Sequence, residues 1–290
     1  MMNVAKVYIV LVNYNGYMDT VECVKSLINI KYTNYKIVLV ENASNDKEKI
    51  ENDEFLNNNC IIIYSDENGG FSAGNNLGIQ YALNEGADYI LLLNNDTVVC
   101  EDFLDELLDL EKENNKVGII TGDIYYYFDK NKLWYTNGSF NRESCITRMC
   151  NNTSRVVNKV TFACGCLMLL KANMIKEIGM LDDLFFLYSE DTEYCCRAMK
   201  KGWDIVWTKK SKIYHKISAS TVSNSDFQQY YLTRNNLILA KMYGKRPVWG
   251  YMVRLWCCIK DIIRRGAHIK PIVWAYIDFF KGIEGKSDRF

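Results

Sequence analysis

Short apolar runs alternate with amphipathic segments through the first third of the chain. Lys6–Val12 (KVYIVLV), Lys36–Val40, Cys60–Tyr64 (CIIIY) and Asp88–Leu93 (DYILLL) are aliphatic and β-branched stretches of strand length. Between them, Val21, Val24, Leu27 and Ile28 recur at helical spacing within Asp19–Ile30, and Leu77, Tyr81 and Leu83 lie within a helical segment from Ser72 to Asn84. Strand, helix, strand in this rhythm predicts an α/β fold, a mostly parallel sheet flanked by helices. Runs without polar alternation belong to strands buried on both faces.

In such sheets, ligands bind beyond the carboxyl ends of the strands. The segments that follow the four runs are Asn13-Tyr14-Asn15, Glu41-Asn42-Ala43-Ser44, Asp66 to Gly70 and Asn94-Asn95-Asp96. All four are polar and three carry carboxylates. Four polar turns on one edge of a sheet place the candidate site there.

The pattern changes from Gly118 to Phe162, where Tyr125, Tyr126, Tyr127, Trp134, Tyr135 and Phe140 lie among polar residues, a hairpin region with an aromatic-rich surface. Thr161–Leu170 (TFACGCLMLL) reads as a buried strand, Lys171–Ile178 as a short helix stopped at Gly179, and Trp203–Trp207 and Lys212–His215 as two later strands. In the last fifty residues Trp249, Met252, Val253, Trp256, Ile259 and Ile263 share one helical face opposite Arg254, Asp261 and Arg265. The division is residues 1–240 as the main domain and residues 241–290 as an amphipathic, basic helical extension.

Charge sharpens that division. The 290 residues balance 35 Lys and Arg against 35 Asp and Glu, yet residues 241–290 hold 11 basic and 4 acidic side chains. Overall neutrality argues against nucleic acid as a partner, because phosphate binding needs a basic surface. A basic helix with tryptophans over residues 248–283 can lie in a membrane interface, or it can pack on its own domain or on a second subunit. The 11 cysteines contain no C-x-x-C pair and read as reduced thiols. No apolar stretch reaches the ~18 residues of a spanning helix, and the first apolar run is too short for a signal peptide. The expected location is therefore the cytoplasm, with the inner face of the plasma membrane as the alternative.

Six stretches carry a more specific signal: VYIVLVNYNG (7–16), VLVENASND (38–46), ENGGFSAGNNLG (67–78), YILLLNNDT (89–97), FLYSEDTEYCCR (186–197) and YYLTRNN (230–236). In order and spacing, over roughly residues 5–240, they resemble the inverting family-2 glycosyltransferases of GT-A fold, and among them the rhamnosyltransferase-like, non-processive branch. The Q-x-x-R-W signature of processive relatives is absent from the sequence.

The resemblance implies roles for particular residues. Asn13, Glu41, Asn68, Asn75, Asn76, Asn94 and Asn95 fall where the family binds its nucleotide-sugar donor. Glu41 stands where the family usually has Asp. Asn94-Asn95-Asp96 occupies the D-x-D position, whose carboxylates hold Mg²⁺ or Mn²⁺ against the donor diphosphate. Here Asn94 leaves Asp96 as the one charge, and His215 matches a histidine that completes the metal site in many relatives. Asp191, the second acid of Glu190-Asp191, matches the catalytic base, with Glu190 beside it to position the acceptor. Arg234 offers a guanidinium suited to a diphosphate. Arg197 lies four residues after Glu193, the spacing of an intrahelical ion pair.

Each of these residues also has a structural reading. Glu41 and the acids at 190–193 can serve helix dipoles. Gly69-Gly70 with Ser72 can be a capped loop. Asn94 to Asp96 can be a plain turn, His215 a buried hydrogen-bonded side chain and Arg234 a structural ion pair. The resemblance implies inverting transfer of one sugar, from dTDP-rhamnose or a UDP-sugar, to a cell-surface or lipid-linked glycan. Homo-oligomerisation is left open. Two rivals remain. A sugar-phosphate nucleotidyltransferase would need a Gly-rich basic loop after the first strand, where this chain has Asn13-Tyr14-Asn15-Gly16. A non-catalytic sugar-nucleotide- or glycan-binding module of the same fold would tolerate Asn94 but has no need of Glu190-Asp191.

Overall fold

A computed structural model describes residues 4–110, 116–150, 155–217 and 226–290. The opening alternation is realised as β1 (Val7–Asn13), α1 (Tyr17–Leu27), β2 (Tyr35–Glu41), α2 (Lys47–Glu51), α3 (Glu54–Asn59), β3 (Cys60–Tyr64), α4 (Gly70–Asn84) and β4 (Tyr89–Leu93). All four strands are parallel, in the order β3-β2-β1-β4. β1 and β4 are buried along nearly their whole length, which is why their sequences carry no polar alternation.

Beyond β4 come β5 (Thr97–Val99), α5 (Phe103–Leu108), β6 (Val117–Tyr126), β7 (Leu133–Tyr135), β8 (Asn137–Asn141), β9 (Ile146–Cys150), β10 (Val157–Val160), β11 (Leu167–Lys171), α6 (Ala172–Ile178), α7 (Glu190–Lys200) and β12 (Asp204–His215). The sheet continues from β4 through antiparallel β11, then β6 and parallel β12, to edge strand β10. β8 and β9 form a separate hairpin. One apolar cluster built on Ile9, Leu91 and Phe103 and another built on Val10, Leu92 and Trp207 fill the two sides of the sheet.

Two of the expected strands differ. Trp203–Trp207 and Lys212–His215 are one strand, β12, interrupted by a register shift between Thr208 and Lys212. Lys209 and Lys210 fall within this bulge. Conversely, residues 161–166 do not extend β11. The Gly165 amide donates to Asp191 (3.1 Å) and the Cys166 carbonyl accepts from the Asn94 amide (3.1 Å), so that backbone is committed to loops instead of a neighbouring strand.

The chain ends in α8 (Asp226–Tyr243), α9 (Pro247–Arg265) and α10 (Ile269–Lys281). α9 and α10 both pack on α8, but α9 does so through its small residues. Gly250 is buried so closely that a Cβ there would meet Ala240 Cβ at 3.0 Å and Cys145 Sγ at 2.9 Å. Cys258 is also buried, and Arg254 reaches Thr233 of α8. The apolar face anticipated from the sequence points the other way: Trp249, Met252 and Trp256 are each more than half exposed and Ile263 is 77% exposed. Val273, Ile277 and Phe280 of α10 are exposed as well.

Candidate active site

The register of the sheet assembles the site. β1 ends at Asn13, directly opposite Glu41 at the end of β2, and β4 ends one residue before Asn94. Antiparallel pairing of β5 with β12 sets His215 opposite Thr97. His215 Nε2 consequently lies 3.1 Å from Asp96 Oδ1, and both side chains are buried. Trp134 closes the imidazole from its edge, with ring centroids 4.8 Å apart.

The polar turns interlock. Asn13 Oδ1 accepts from Gly16 N–H and from the Thr20 hydroxyl, and Asn95 Nδ2 donates to the same hydroxyl at 2.8 Å. Asn13 Nδ2 donates to Ser44, and Glu41 Oε1 accepts from the Ser44 amide at 2.8 Å. The Glu41 side chain is fully buried, and its Oε2 has no hydrogen-bond partner among the described residues, an orphaned acceptor at a strand end. Asn94 acts through its backbone: its N–H meets Cys166 and its carbonyl accepts from the Thr97 hydroxyl at 2.7 Å.

The glycine-rich segment is bonded to the backbone at Phe185 and Phe186. Gly70 has φ +78°, and a Cβ there would sit 2.0 Å from the Phe186 carbonyl. That carbonyl takes the Phe71 amide at 2.8 Å, and Ser72 Oγ donates to Phe185 O at 2.7 Å. The first turn of α4 is thus spent on the loop that leads to Glu190. Asn68 joins the same junction by accepting from Asn42 and from Gly70 N–H. Asn75 donates within its own helix to Phe71, and Asn76 is tied to Leu181 and Asp183. Of the three asparagines, Asn76 is the one that bonds the 181–189 loop directly.

Glu190 and Asp191 open α7. Asp191 Oδ2 accepts from Gly165 N–H at 3.1 Å, and Oδ1 accepts from Thr192 N–H at 2.6 Å. Because the next residue, Cys166, bonds Asn94, a two-residue bridge couples the Asp191 carboxylate to the Asn94–Asp96 turn. Burial raises the Asp191 carboxyl above its ordinary range, and the Gly165 and Thr192 donors oppose that rise. Glu190 is raised well above its ordinary range by burial and by the adjacent Asp191, and its Oε2 is buried without a partner. Two adjacent buried carboxyls disfavour simultaneous ionisation, so they titrate as a pair.

The residues before this pair are strained: Tyr188 (φ +68°) and Ser189 (φ +74°) are consecutive left-handed non-glycines. Buried Asn235 holds them, donating from Nδ2 to both Leu187 O (2.9 Å) and Tyr188 O (2.8 Å). Asn235, Gly165 and Thr192 are supporting residues that motif reading overlooks. Asn235 sits beside a more conspicuous arginine, and the other two act through backbone amides.

Arg234 departs from the expectation. It is fully buried, with Nη2 on the Gly285 carbonyl at 2.6 Å and its guanidinium over Tyr230 and Tyr231. These contacts anchor the C-terminal tail, so in this structure it does not reach a diphosphate. Arg197 pairs with Glu193 as its spacing predicts (2.7 Å) and also donates to the carbonyls of Ile178 and Met180. Of the aromatic cluster, Tyr127 donates to Glu22 and Trp134 packs on His215. Ser218, Ser220 and Thr221, downstream of His215, lie outside the described residues.

A cavity of about 320 Å³ opens beside Asp191. Its walls come from the β8–β9 hairpin, the start of α7, and the facing sides of α8 and α9.

The sheet order, the polar turns on its carboxyl edge and the acid pair across from them define a GT-A-type α/β transferase fold. The chain belongs to glycosyl transferase family 2, whose model matches residues 8–179. It is similar over 97% of its length to dTDP-rhamnosyl transferase RfbF of Shigella flexneri, with 23% identity and 97% of that protein covered. It is also similar over 97% of its length to the low-salt glycan biosynthesis hexosyltransferase Agl10 of Haloferax volcanii, with 26% identity and 93% covered. The solved structure of GalNAc-T7 with UDP, GalNAc and Mn²⁺ superposes with a TM-score of 0.62 at 15% identity, across 90% of this chain and 58% of that one. This likeness establishes the shared fold. No helix among the described residues is long and apolar enough to cross a membrane.

Proposed function

We propose that this glycosyltransferase moves one hexosyl or deoxyhexosyl unit, with inversion, from a nucleoside-diphosphate sugar to a glycan carried at a membrane surface. The observation that carries the reading is the Gly165-Cys166 bridge, which links the Asp191 carboxylate to the Asn94–Asp96 turn. Donor and acceptor sides of a displacement would meet across it. The dTDP-rhamnosyl transferase relative supports dTDP-rhamnose as the first donor to test, with UDP-sugars next.

Asp191 accepts the proton of the acceptor hydroxyl as that oxygen attacks the anomeric carbon and the bond to the diphosphate oxygen breaks. Base assistance of this kind contributes ~10²–10⁴ in rate. Glu41 and Asn13 face the nucleoside from the ends of β2 and β1. Asp96 and His215 form a carboxylate–imidazole pair suited to Mg²⁺ or Mn²⁺, ions that take one or two protein ligands and complete their shell with substrate phosphates and water. No group of three or more acidic, His or Cys side chains suited to a metal occurs among the described residues, consistent with a metal that arrives with the nucleotide. When bound, the cation supplies charge stabilisation to the departing diphosphate. The outward apolar face of α9 and α10, with the basic excess of residues 241–290, would hold the enzyme at an anionic membrane.

The test is nucleoside-diphosphate release from a panel of sugar nucleotides with Mn²⁺, Mg²⁺ or EDTA, for wild type and Asp191→Asn. Selective, Asp191-dependent release supports the reading. Nucleotide binding with no turnover under any acceptor would instead make this a binding module.

A further inference from the structure

The cavity beside Asp191 contains a cation that the reaction described above does not use. Arg254 projects from α9 into the wall formed with α8, together with Leu232 and Asn236. It is half-buried, and Nη2 donates to the Thr233 hydroxyl at 3.0 Å. Its Nε is buried without a hydrogen-bond partner, and no carboxylate among the described residues pairs with it. Nearly every other buried cation in the fold is matched: Arg197 by Glu193 and Lys216 by Asp19 and Glu22. Arg234 is satisfied by a carbonyl and two rings.

A guanidinium removed from water without a counter-charge is costly, and a bound anion would offset that cost. The Arg254 guanidinium commits only Nη2 to Thr233, and its planar fork suits phosphate oxygens, with the covered Nε edge reached only if its packing shifts. The cavity volume lies at the lower end of the ~300–1,000 Å³ common for small-molecule sites. The same cavity is lined by Asp191 and by Glu190, whose buried Oε2 is also unpartnered. The exposed Trp249, Met252 and Trp256 lie on the opposite side of α9 from Arg254 and the cavity.

We propose that Arg254 binds a phosphate group of the acceptor, so that this enzyme glycosylates phosphate-bearing glycans and discriminates against neutral ones. This rests on the reading of Asp191 as the acceptor-side base. The phosphate could belong to a lipid carrier or to a soluble glycan, and the experiment separates these sources.

Wild type, Arg254→Gln and Arg254→Lys are titrated with octyl phosphate, inorganic phosphate and octyl glucoside by calorimetry, with the donor side first saturated by nucleoside diphosphate. Nucleotide titration of wild type is read on its own and reports on the donor reading alone. If that titration is silent, the phosphate series is run without nucleotide. Octyl phosphate is expected to bind wild type and to lose ~10-fold or more in Arg254→Gln, the scale of a lost charge-assisted hydrogen bond. Arg254→Lys should fall between the two, because it keeps the charge without the fork. Octyl glucoside should bind equally to all three. Octyl phosphate binding tighter than inorganic phosphate points to a lipid carrier, and equal binding to a soluble phosphoglycan. Equal phosphate affinity in wild type and Arg254→Gln, or no phosphate binding by wild type, overturns the proposal. If Arg254→Gln lacks a cooperative melt, Arg254→Lys carries the comparison, and unchanged phosphate affinity there overturns it.

Discussion

Asn235 Nδ2 lies 2.8 Å from the carbonyl oxygen of Tyr188, and the same amide reaches Leu187 at 2.9 Å. Two consecutive left-handed residues, Tyr188 and Ser189, are thereby held in the turn that aims Glu190 and Asp191. Asn235 positions the acid pair without touching substrate. Asn235→Asp puts an acceptor where two carbonyls need a donor. We expect transfer to fall ~10- to 100-fold, the cost of a displacement near 1 Å at the reacting group. Nucleotide affinity should stay within about twofold of wild type, because the donor turns lie on other elements. Loss of nucleotide binding in step with turnover would mean a global defect and remove the positioning role.

The acid pair predicts unequal consequences for its two members. Burial and the neighbouring Asp191 both favour the protonated form of Glu190, whereas two backbone donors oppose the rise at Asp191. A glutamine resembles that protonated form. Glu190→Gln should retain turnover within about tenfold of wild type, whereas Asp191→Asn should lose ~10²–10⁴. Steady-state rates for the two variants decide the matter. Equal losses would mean that the roles are shared or reversed.

The same shifts fix the sign of the pH dependence. A base works ionised, and burial raises the Asp191 carboxyl, so activity should be lost as pH falls through a limb above the ~3.9 of an ordinary aspartate. Burial and Asp191 favour the neutral form of Glu190, so Glu190→Gln should move that limb little. A profile of kcat/KM against pH for both proteins reads this directly. A limb in the ordinary carboxylate range would contradict the burial argument.

Much of this was legible in the sequence, and the exceptions share a cause. β1 and β4 are readable because burial on both faces writes itself as unbroken aliphatic runs, whereas β3 keeps such a run as a half-buried edge strand. His215 and Asp96 were found by type and order, and the β5–β12 register brings them together. The tie from Arg234 to the Gly285 carbonyl is not legible in the sequence, because a backbone carbonyl has no residue signature. Gly165 likewise serves through an amide, inside a run that looked like strand. The orientation of α9 was undetermined because hydrophobicity marks a face but not what covers it. Gly250 and Cys258 permit closer packing on α8 than the tryptophans would.

The Asp96–His215 pair predicts how metal removal acts. If a cation joins these side chains to the diphosphate, EDTA should weaken binding of a nucleoside diphosphate but not of its nucleoside. Asp96→Asn should reproduce that effect, and His215→Ala should do so more weakly, since a carboxylate is the stronger ligand for a hard cation. Calorimetric titrations with and without Mn²⁺ test this. Nucleoside-diphosphate affinity unchanged by EDTA and by Asp96→Asn would assign the pair a structural role.

The exposed face of α9 and α10 sets the last expectation. Trp249, Met252, Trp256 and Phe280 are each more than half exposed, and cations flank them: Lys260 lies over the Trp256 ring at 5.2 Å and Lys270 over Trp274 at 4.6 Å. Exposed tryptophans beside lysines suit the headgroup region, where the rings leave water and the ammonium groups meet anionic lipid. Each basic residue near such a surface contributes ~1 kcal/mol, attenuated by salt. The chain should therefore sediment with vesicles containing phosphatidylglycerol and much less with phosphatidylcholine alone, and the difference should shrink at high salt. Trp249→Glu with Trp256→Glu should release it without lowering its melting temperature, because neither ring packs in the core. The competing occupant is a second copy of this chain, which would appear as a concentration-dependent dimer in analytical ultracentrifugation. A dimer that dissociates in the double variant, with no vesicle binding by wild type, would assign the face to self-association.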